Sequence, residues 1–267
     1  MKFCTIASGS SGNCAFAGTD RTLLLVDAGI TAKRITAALH DMDYDPSELS
    51  GILLTHEHID HISGLGVLSR KYHIPVYGTA GTIEYIMNNR AKSLGKMDPA
   101  LFHKISPDQN FRIGDMDIHP FRISHDAAQP CGYRLAGDHK SVAVATDLGC
   151  YNDYIIENLR GLDGLLLEAN HDVNMLEVGP YPYPLKQRIL GERGHLSNDS
   201  AGYLLSDVLN DHMEFVLLGH LSQHNNYEAL CYATVTSEVT MADNPYKADD
   251  FDIEIAHRDR SSRVFEI

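Results

Sequence analysis

The chain has 267 residues, enough to bury a large core in one domain of ordinary size. Hydrophobic residues make up 43% and charged residues 22%, which excludes a disordered or fibrous chain, and no apolar run nears the roughly 18 residues of a membrane span. The net charge of −14 argues against a protein that coats nucleic acid, because phosphate contacts need Lys and Arg; an enzyme that grips phosphates locally is still allowed.

In chain order, strands are expected over residues 2–7, 14–18 and 21–27, the second lying between the other two. A helix over 31–43 carries Ile35, Ala38, Leu39 and Met42 at helical spacing. Residues 51–55 form a short buried strand, followed by a helix over 62–73, a strand over 74–77 and a helix over 82–89. Strands then dominate, at 116–123, 132–136 and 141–146. Alternation resumes with strand 165–168, helix 197–212, strand 214–219 and helix 227–239, and the end, 251–257 with 262–267, reads as a hairpin. Two sheets packed face to face with helices outside accommodate this order better than a doubly wound sheet. No repeat or Gly/Ser linker divides residues 1–267, so one domain is expected.

The N-terminus does not read as a signal peptide. Cys4, Cys14, Cys131, Cys150 and Cys231 form no C-x-x-C pair, so reduced thiols and a cytoplasmic protein with no membrane partner are expected. Fifteen histidines are many for such a protein, and histidine is the commonest metal ligand.

The strand at 51–55 runs into His56-Glu57-His58-Ile59-Asp60-His61. In extended backbone, side chains two apart point the same way, so His56 and His58 can face one ion. Asp60 and His61 follow where the chain turns into a helix, displaced along the site and able to serve a second ion. Imidazoles with carboxylates suit Zn²⁺, Fe²⁺ or Mn²⁺ rather than Ca²⁺.

With this motif the chain resembles the metallo-β-lactamase superfamily over nearly its whole length. Asp27 before Gly29, His125 in Ile-Ser-His-Asp, Asp147 in Thr-Asp-Leu-Gly and His220 in Leu-Gly-His-Leu-Ser match the family's other motifs in order. The resemblance implies an α+β, four-layer αββα sandwich of two mixed sheets. It implies two divalent ions per chain, Zn or Mn: His56, His58 and His125 on one, Asp60, His61 and His220 on the other, and Asp147 bridging. It makes Asp27 a brace for the metal loop, counts Asp60 also among the catalytic residues, and makes a hydroxide between the ions the nucleophile.

Glu168 at a strand end and His195 ahead of a helix follow an order similar to the ribonuclease Z group of phosphodiesterases, in which a Glu–His pair protonates the leaving oxygen. The resemblance is closer still to the YycJ/WalJ group of bacterial nucleases. It rests on Ser8-Gly9-Ser10-Ser11-Gly12-Asn13-Cys14, on Glu168-Ala169-Asn170-His171-Asp172, on residues 179–186 running to Gly194-His195-Leu196-Ser197-Asn198, and on His220-Leu221-Ser222. It implies an exonuclease acting on DNA from the 5′ end, DNA more than RNA. His224 departs from it, standing where the group has an acidic residue. Ser10, Ser11 and Asn13 either present donors to a terminal phosphate or form a plain turn. Lys186, Arg188 and Arg193 either grip substrate or are a solvated charged face. The role of His171 stays open, and His40, His73, His103, His119, His139, His212 and His257 are expected at the surface or in ordinary hydrogen bonds. The alternative function is a small-molecule metallo-hydrolase of the same fold, acting on a thioester, lactone or cyclic nucleotide.

Overall fold

The computed structural model describes the backbone of residues 1–267 and every side chain but that of Ala91. The chain forms two compact units: Met1–Arg122 with Ala127–His139 and His257–Ile267, and Ile123–Asp126 with Lys140–Ala256.

The first unit opens with β1 (Lys2–Ala7), β2 (Cys14–Gly18) and β3 (Leu23–Val26), each antiparallel to the next. Helix α1 (Ala32–Asp41) follows, its N-terminus capped by the Thr31 hydroxyl and its inner face carrying buried Ile35 and Leu39. Strand β4 (Gly51–Leu53) lies parallel to β3, and all three of its residues are buried. A single turn, α2 (Ile59–Ile62), precedes α3 (Leu65–Tyr72), so the helix expected over 62–73 is two pieces. Then come β5 (Val76–Thr79), α4 (Ala80–Asn89), α5 (Ala91–Leu94) and β6 (Phe102–Ile105), with β4, β5 and β6 parallel. Strands β7 (Phe111–Ile113), β8 (Met116–Arg122) and β9 (Cys131–Gly137) make an antiparallel meander.

The second unit holds β10 (Lys140–Ala145), α6 (Asp153–Leu159), β11 (Gly164–Glu168), α7 (Val173–Val178), α8 (Tyr183–Leu190), α9 (Asn198–Val208), β12 (Phe215–Gly219), α10 (Glu228–Met241) and β13 (Ile253–Ile255). Its four strands are parallel. The chain closes with β14 (Phe265–Glu266), back in the first unit. There are two seven-stranded sheets, in the orders β14-β1-β2-β3-β4-β5-β6 and β13-β12-β11-β10-β9-β8-β7, flanked by helices.

The hairpin expected at the C-terminus is not formed. Strand β13 extends the second sheet beside β12, and β14 pairs with Lys2 and Phe3 of β1 in the first. Each segment satisfies its backbone groups on the edge of a different sheet, which outweighs their nearness in sequence.

Parallel strands bring their C-terminal ends to one edge. In the first unit Val26 pairs with Leu53, so Asp27 lies beside the chain entering the histidine motif. In the second, Ala145 pairs with Leu167 and Glu168 with Gly219, which sets Asp147, Glu168 and His220 at three neighbouring strand ends. Asp27, Asp147 and His220 have positive φ, 63°, 61° and 56°. Such backbone costs on the order of 1 kcal/mol or more for a residue other than glycine, and it clusters where side-chain direction matters.

Candidate functional site

Each unit carries its own cluster of metal-ligating side chains. In the first, Asp27 is buried and all its acceptor capacity is turned on the motif loop. Oδ1 accepts the Thr55 backbone N–H at 2.9 Å, and Oδ2 accepts the Thr55 hydroxyl at 2.8 Å and the His61 Nδ1–H at 2.7 Å. A proton held on Nδ1 leaves His61 Nε2 with its lone pair, the form a metal ligand needs. The Thr55 oxygen is 3.0 Å from His56 Nδ1, in reach of that ring's N–H. The His56 ring stands 4.5 Å from the His58 ring and 4.1 Å from that of His61, and an Asp60 carboxylate oxygen is 3.6 Å from His61 Nε2. His56 and His61 are buried; His58 and Asp60 reach solvent.

Two loops clamp this motif from behind. Asn13 N–H donates to Asp60 O at 2.8 Å and Ala28 N–H to His61 O at 2.8 Å. The approach leaves no room at Gly29, where a Cβ would sit 1.6 Å from Asp60 O. Asn13 is used inside this clamp: its Oδ1 accepts Gly9 N–H at 2.9 Å, and its Nδ2 donates to Gly9 O at 3.1 Å and lies 3.1 Å from His61 Nε2. Ser10 and Ser11, by contrast, are exposed at the loop tip.

In the second unit the centre of the cluster is Glu168, fully buried at the end of β11. Oε2 accepts the backbone N–H of Leu148 at 2.8 Å and of Leu196 at 3.1 Å. Oε1 accepts His195 Nδ1–H at 2.8 Å and His220 Nδ1–H at 2.9 Å. Burial by itself would raise the Glu168 pKa, but the His195 and His220 rings reverse this and hold the carboxyl well below the usual carboxylate range. An Asp147 oxygen lies 3.6 Å from His125 Nε2 and 3.6 Å from His220 Nε2. Ligand atoms of Asp147, Glu168, His195 and His220 all fall within 4.8 Å of one another. His125 Nδ1–H donates to Gly194 O at 3.1 Å. The His195 side chain is 18% exposed, against 2% or less for Glu168, Asp147 and His220, so it is the member of this group that a bound molecule could touch.

The donor set fits divalent metal. His61, His125 and His220 each turn Nδ1 to an oxygen acceptor, which leaves Nε2 as the ligating atom, and the carboxylates supply hard oxygen ligands beside them.

Four residues of the clusters carried no reading of their own in the sequence. Thr55 links Asp27 to the histidines. Glu57 is buried inside the motif and accepts Ala128 N–H at 2.7 Å. Asn170 donates to His220 O at 2.8 Å and supports its left-handed backbone. His171, left open above, is 1% exposed with no hydrogen-bond partner at either ring nitrogen, and burial takes its pKa down to about 4. A charged residue between the first two histidines of H-x-H-x-D-H was the signal for Glu57. The bases have local partners: Lys186 donates to Glu177 O at 2.7 Å, Arg188 pairs with Asp126, and Arg193 holds His125 O at 3.0 and 3.1 Å. The His224 ring packs edge-on 5.8 Å from that of Tyr181. None of the seven other histidines is buried.

The fold is the metallo-β-lactamase fold. The metallo-β-lactamase fold protein YhfI of Bacillus subtilis superposes with a TM-score of 0.71 at 18% identity, over 100% of this chain and 99% of that one. A family model described as the beta-lactamase superfamily domain matches residues 22–220. Exodeoxyribonuclease WalJ of Streptococcus pneumoniae is 41% identical over 243 residues, 91% of this chain and 90% of that protein. Exodeoxyribonuclease YycJ of Bacillus anthracis is 38% identical over 239 residues, 88% of each. The chain belongs to the beta-lactamase superfamily and, within it, to the family of these WalJ and YycJ proteins.

Proposed function

We propose that the protein is a metal-dependent phosphodiesterase, an exodeoxyribonuclease that acts on DNA in the 5′-to-3′ direction. The observation that carries the reading is the Glu168–His195 pair: a buried carboxylate fixes the Nδ1–H of a ring that itself reaches solvent. Phosphodiester cleavage expels an alkoxide, a poor leaving group until protonated, and His195 Nε2 is the atom placed to give that proton. A thioesterase or lactonase has less need of such a donor. The likeness to two exodeoxyribonucleases over about nine-tenths of their length supports DNA as the substrate.

The ligand set of this reading is the family's: His56, His58 and His125 for one ion, Asp60, His61 and His220 for the other, Asp147 shared, with Zn²⁺ or Mn²⁺ bound. Ions bound by these residues would supply an activated water and would offset the charge of the phosphate. Asp27 and Glu168 keep the protons of His61 and His220 on Nδ1, and His195 moves one proton from Nε2 to the departing 3′ oxygen. Ser10 and Ser11, exposed beside the clamp, are the loop's donors to a terminal phosphate, and Asn13 holds that loop in place. Residues 1–267 act as one catalytic domain, which the run of the family match through segments of both units supports. All five cysteines are free, which supports a cytoplasmic enzyme, and among the described residues no helix is long and apolar enough to cross a membrane.

The test is purified protein with Mn²⁺ or Zn²⁺ on end-labelled single- and double-stranded DNA and RNA. Release of mononucleotides from the 5′ end of DNA is expected. Hydrolysis of thioesters, lactones or cyclic nucleotides with no cleavage of DNA would put the small-molecule reading in its place.

A further inference from the structure

Between Glu168 and His195 the chain makes a helical hairpin of α7 and α8 that the chemistry above does not use. Over residues 177–193 no residue is buried, and α8 has no buried face at all. The hairpin is nevertheless apolar where it meets solvent: Val178 is 86% exposed, Tyr183 72% and Leu190 40%, beside Pro180, Pro182 and Pro184. Pro180 and Pro182 stiffen the turn and Pro184 the start of α8, so its aromatic groups are held out at little entropic cost. In a chain of net charge −14, residues 178–191 contain Lys186, Arg188 paired with Asp126, and no acid, with Glu177 and Glu192 just outside either end.

The hairpin is also joined to the reacting group. His195 N–H donates to Ile189 O at 3.0 Å, one residue from the end of α8. Tyr183 is at the start of that helix, six residues earlier and therefore about 9 Å along the axis. That is roughly the length of two or three stacked nucleotides.

We propose that this hairpin is a stacking platform for the substrate strand: an unpaired base near the strand end lies on the Tyr183 ring, and the backbone passes Lys186 on its way to His195. The inference rests on the nuclease reading and adds to it a preference for single-stranded or frayed ends. A phenol ring offers a flat face that every base can stack on, and prolines and a lysine beside it suit a polyanion whose bases are exposed. A base inside a duplex has no free face to give, so a blunt end must open first. A protein partner or a second copy of the chain would cover the apolar groups as well, but would gain nothing from their adjacency to His195.

Tyr183 is exposed, so its replacement spares the fold. Steady-state cleavage of single-stranded DNA by Tyr183→Ala should show KM raised on the order of 10-fold or more, the weight of one base stacked on an aromatic ring, with kcat within about twofold. Hydrolysis of bis(p-nitrophenyl) phosphate, which has no base to stack, should be unchanged. Tyr183→Trp should restore KM, and Tyr203→Ala, an exposed tyrosine on α9, should alter neither substrate. An unchanged KM for DNA in Tyr183→Ala, or an equal loss on both substrates, overturns the platform. So does sedimentation showing that Tyr183→Ala converts a dimer to monomers, which would make the hairpin a contact between copies. A wild-type protein that hydrolyses the small diester and leaves DNA intact overturns the nuclease reading itself, a result distinct from a variant that cuts DNA like wild type.

Discussion

Glu168→Gln is an isosteric change with a large expected effect, because the two carboxylate oxygens divide their partners so evenly. Oε1 takes two imidazole N–H groups and Oε2 takes two backbone N–H groups. A glutamine must put its NH₂ at one of these positions, and at either one it faces two donors. Facing the backbone the NH₂ opposes two donors, and facing the rings it forces both protons from Nδ1 to Nε2, so two charge-assisted bonds are lost either way; at about 1.5–3 kcal/mol each, the loss is about 3–6 kcal/mol. That is a large part of the roughly 5–15 kcal/mol that holds a domain folded. At about 2–4 °C per kcal/mol for a protein near this size, Tm should fall by roughly 6–24 °C. Calorimetry on wild type and variant, each with saturating Mn²⁺ and after chelator treatment, measures it. Glu168→Asp, which keeps the charge but withdraws it by one methylene, should fall between the two. The pH dependence has a definite sign. A carboxyl held below its usual pKa stabilises the fold above that ordinary value, near 4.5, and the contribution is lost as pH falls through the lowered folded-state pKa. Glu168→Gln should lack this part of the acid transition. A Tm within about 2 °C of wild type in both states would show that the four-donor arrangement does not hold the second cluster together.

His195→Ala should keep its bound metal and its affinity for DNA but lose turnover by roughly 10²–10⁴-fold, and the loss should shrink on a nitrophenyl phosphodiester, whose leaving group needs no proton; equal losses on both substrates would refute the acid role. Asp27→Asn should tolerate the left-handed backbone but present an NH₂ to His61 Nδ1, moving that ring's proton to Nε2, so metal affinity should drop about 10–100-fold by isothermal titration; wild-type affinity would mean Asp27 does not set the tautomer. His171 is held neutral with its pKa lowered from 6.5 to about 4, so wild type should lose stability as pH falls from about 6.5 towards 4, by at most about 3 kcal/mol, as the unfolded chain takes up the proton that the folded one refuses. In denaturant titrations His171→Asn should be flatter over that window, and identical slopes would place the titrating group elsewhere. Metal analysis of the saturated wild type should find two ions per chain, because the proposed set of six terminal ligands and a shared carboxylate exceeds what one tetrahedral ion needs; a single ion would refute that set.

Much of the site was legible because its chemistry is local. His56, His58, Asp60 and His61 sit within six residues, at a spacing whose meaning follows from extended backbone turning into a helix. Asp27, Asp147, Glu168 and His220 each follow a short apolar run, but that alone left each open between ligand and surface residue; the order of the family's motifs picked them out. The structure added what these residues do to one another. Only the folded chain brings His195 and His220 to the same oxygen of Glu168, across 27 and 52 positions of sequence, and only it shows Asn13 turned inward while Ser10 and Ser11 face out.

The errors lie where partners are distant. Nothing in residues 251–267 says that β13 belongs beside β12 and β14 beside β1, since both segments carry the alternation of any short strand and strand pairing is decided by whichever edge is left open. The division of the helix after the motif, the tether of Glu57 to Ala128, and the burial of His171 beside an exposed hairpin are likewise products of contacts far apart in the chain. Residue type and spacing, which the sequence carries by itself, determined which atoms could bind metal or move a proton. Hydrogen-bond direction, tautomer and solvent access, which depend on neighbours brought together by folding, were decided by the tertiary structure alone.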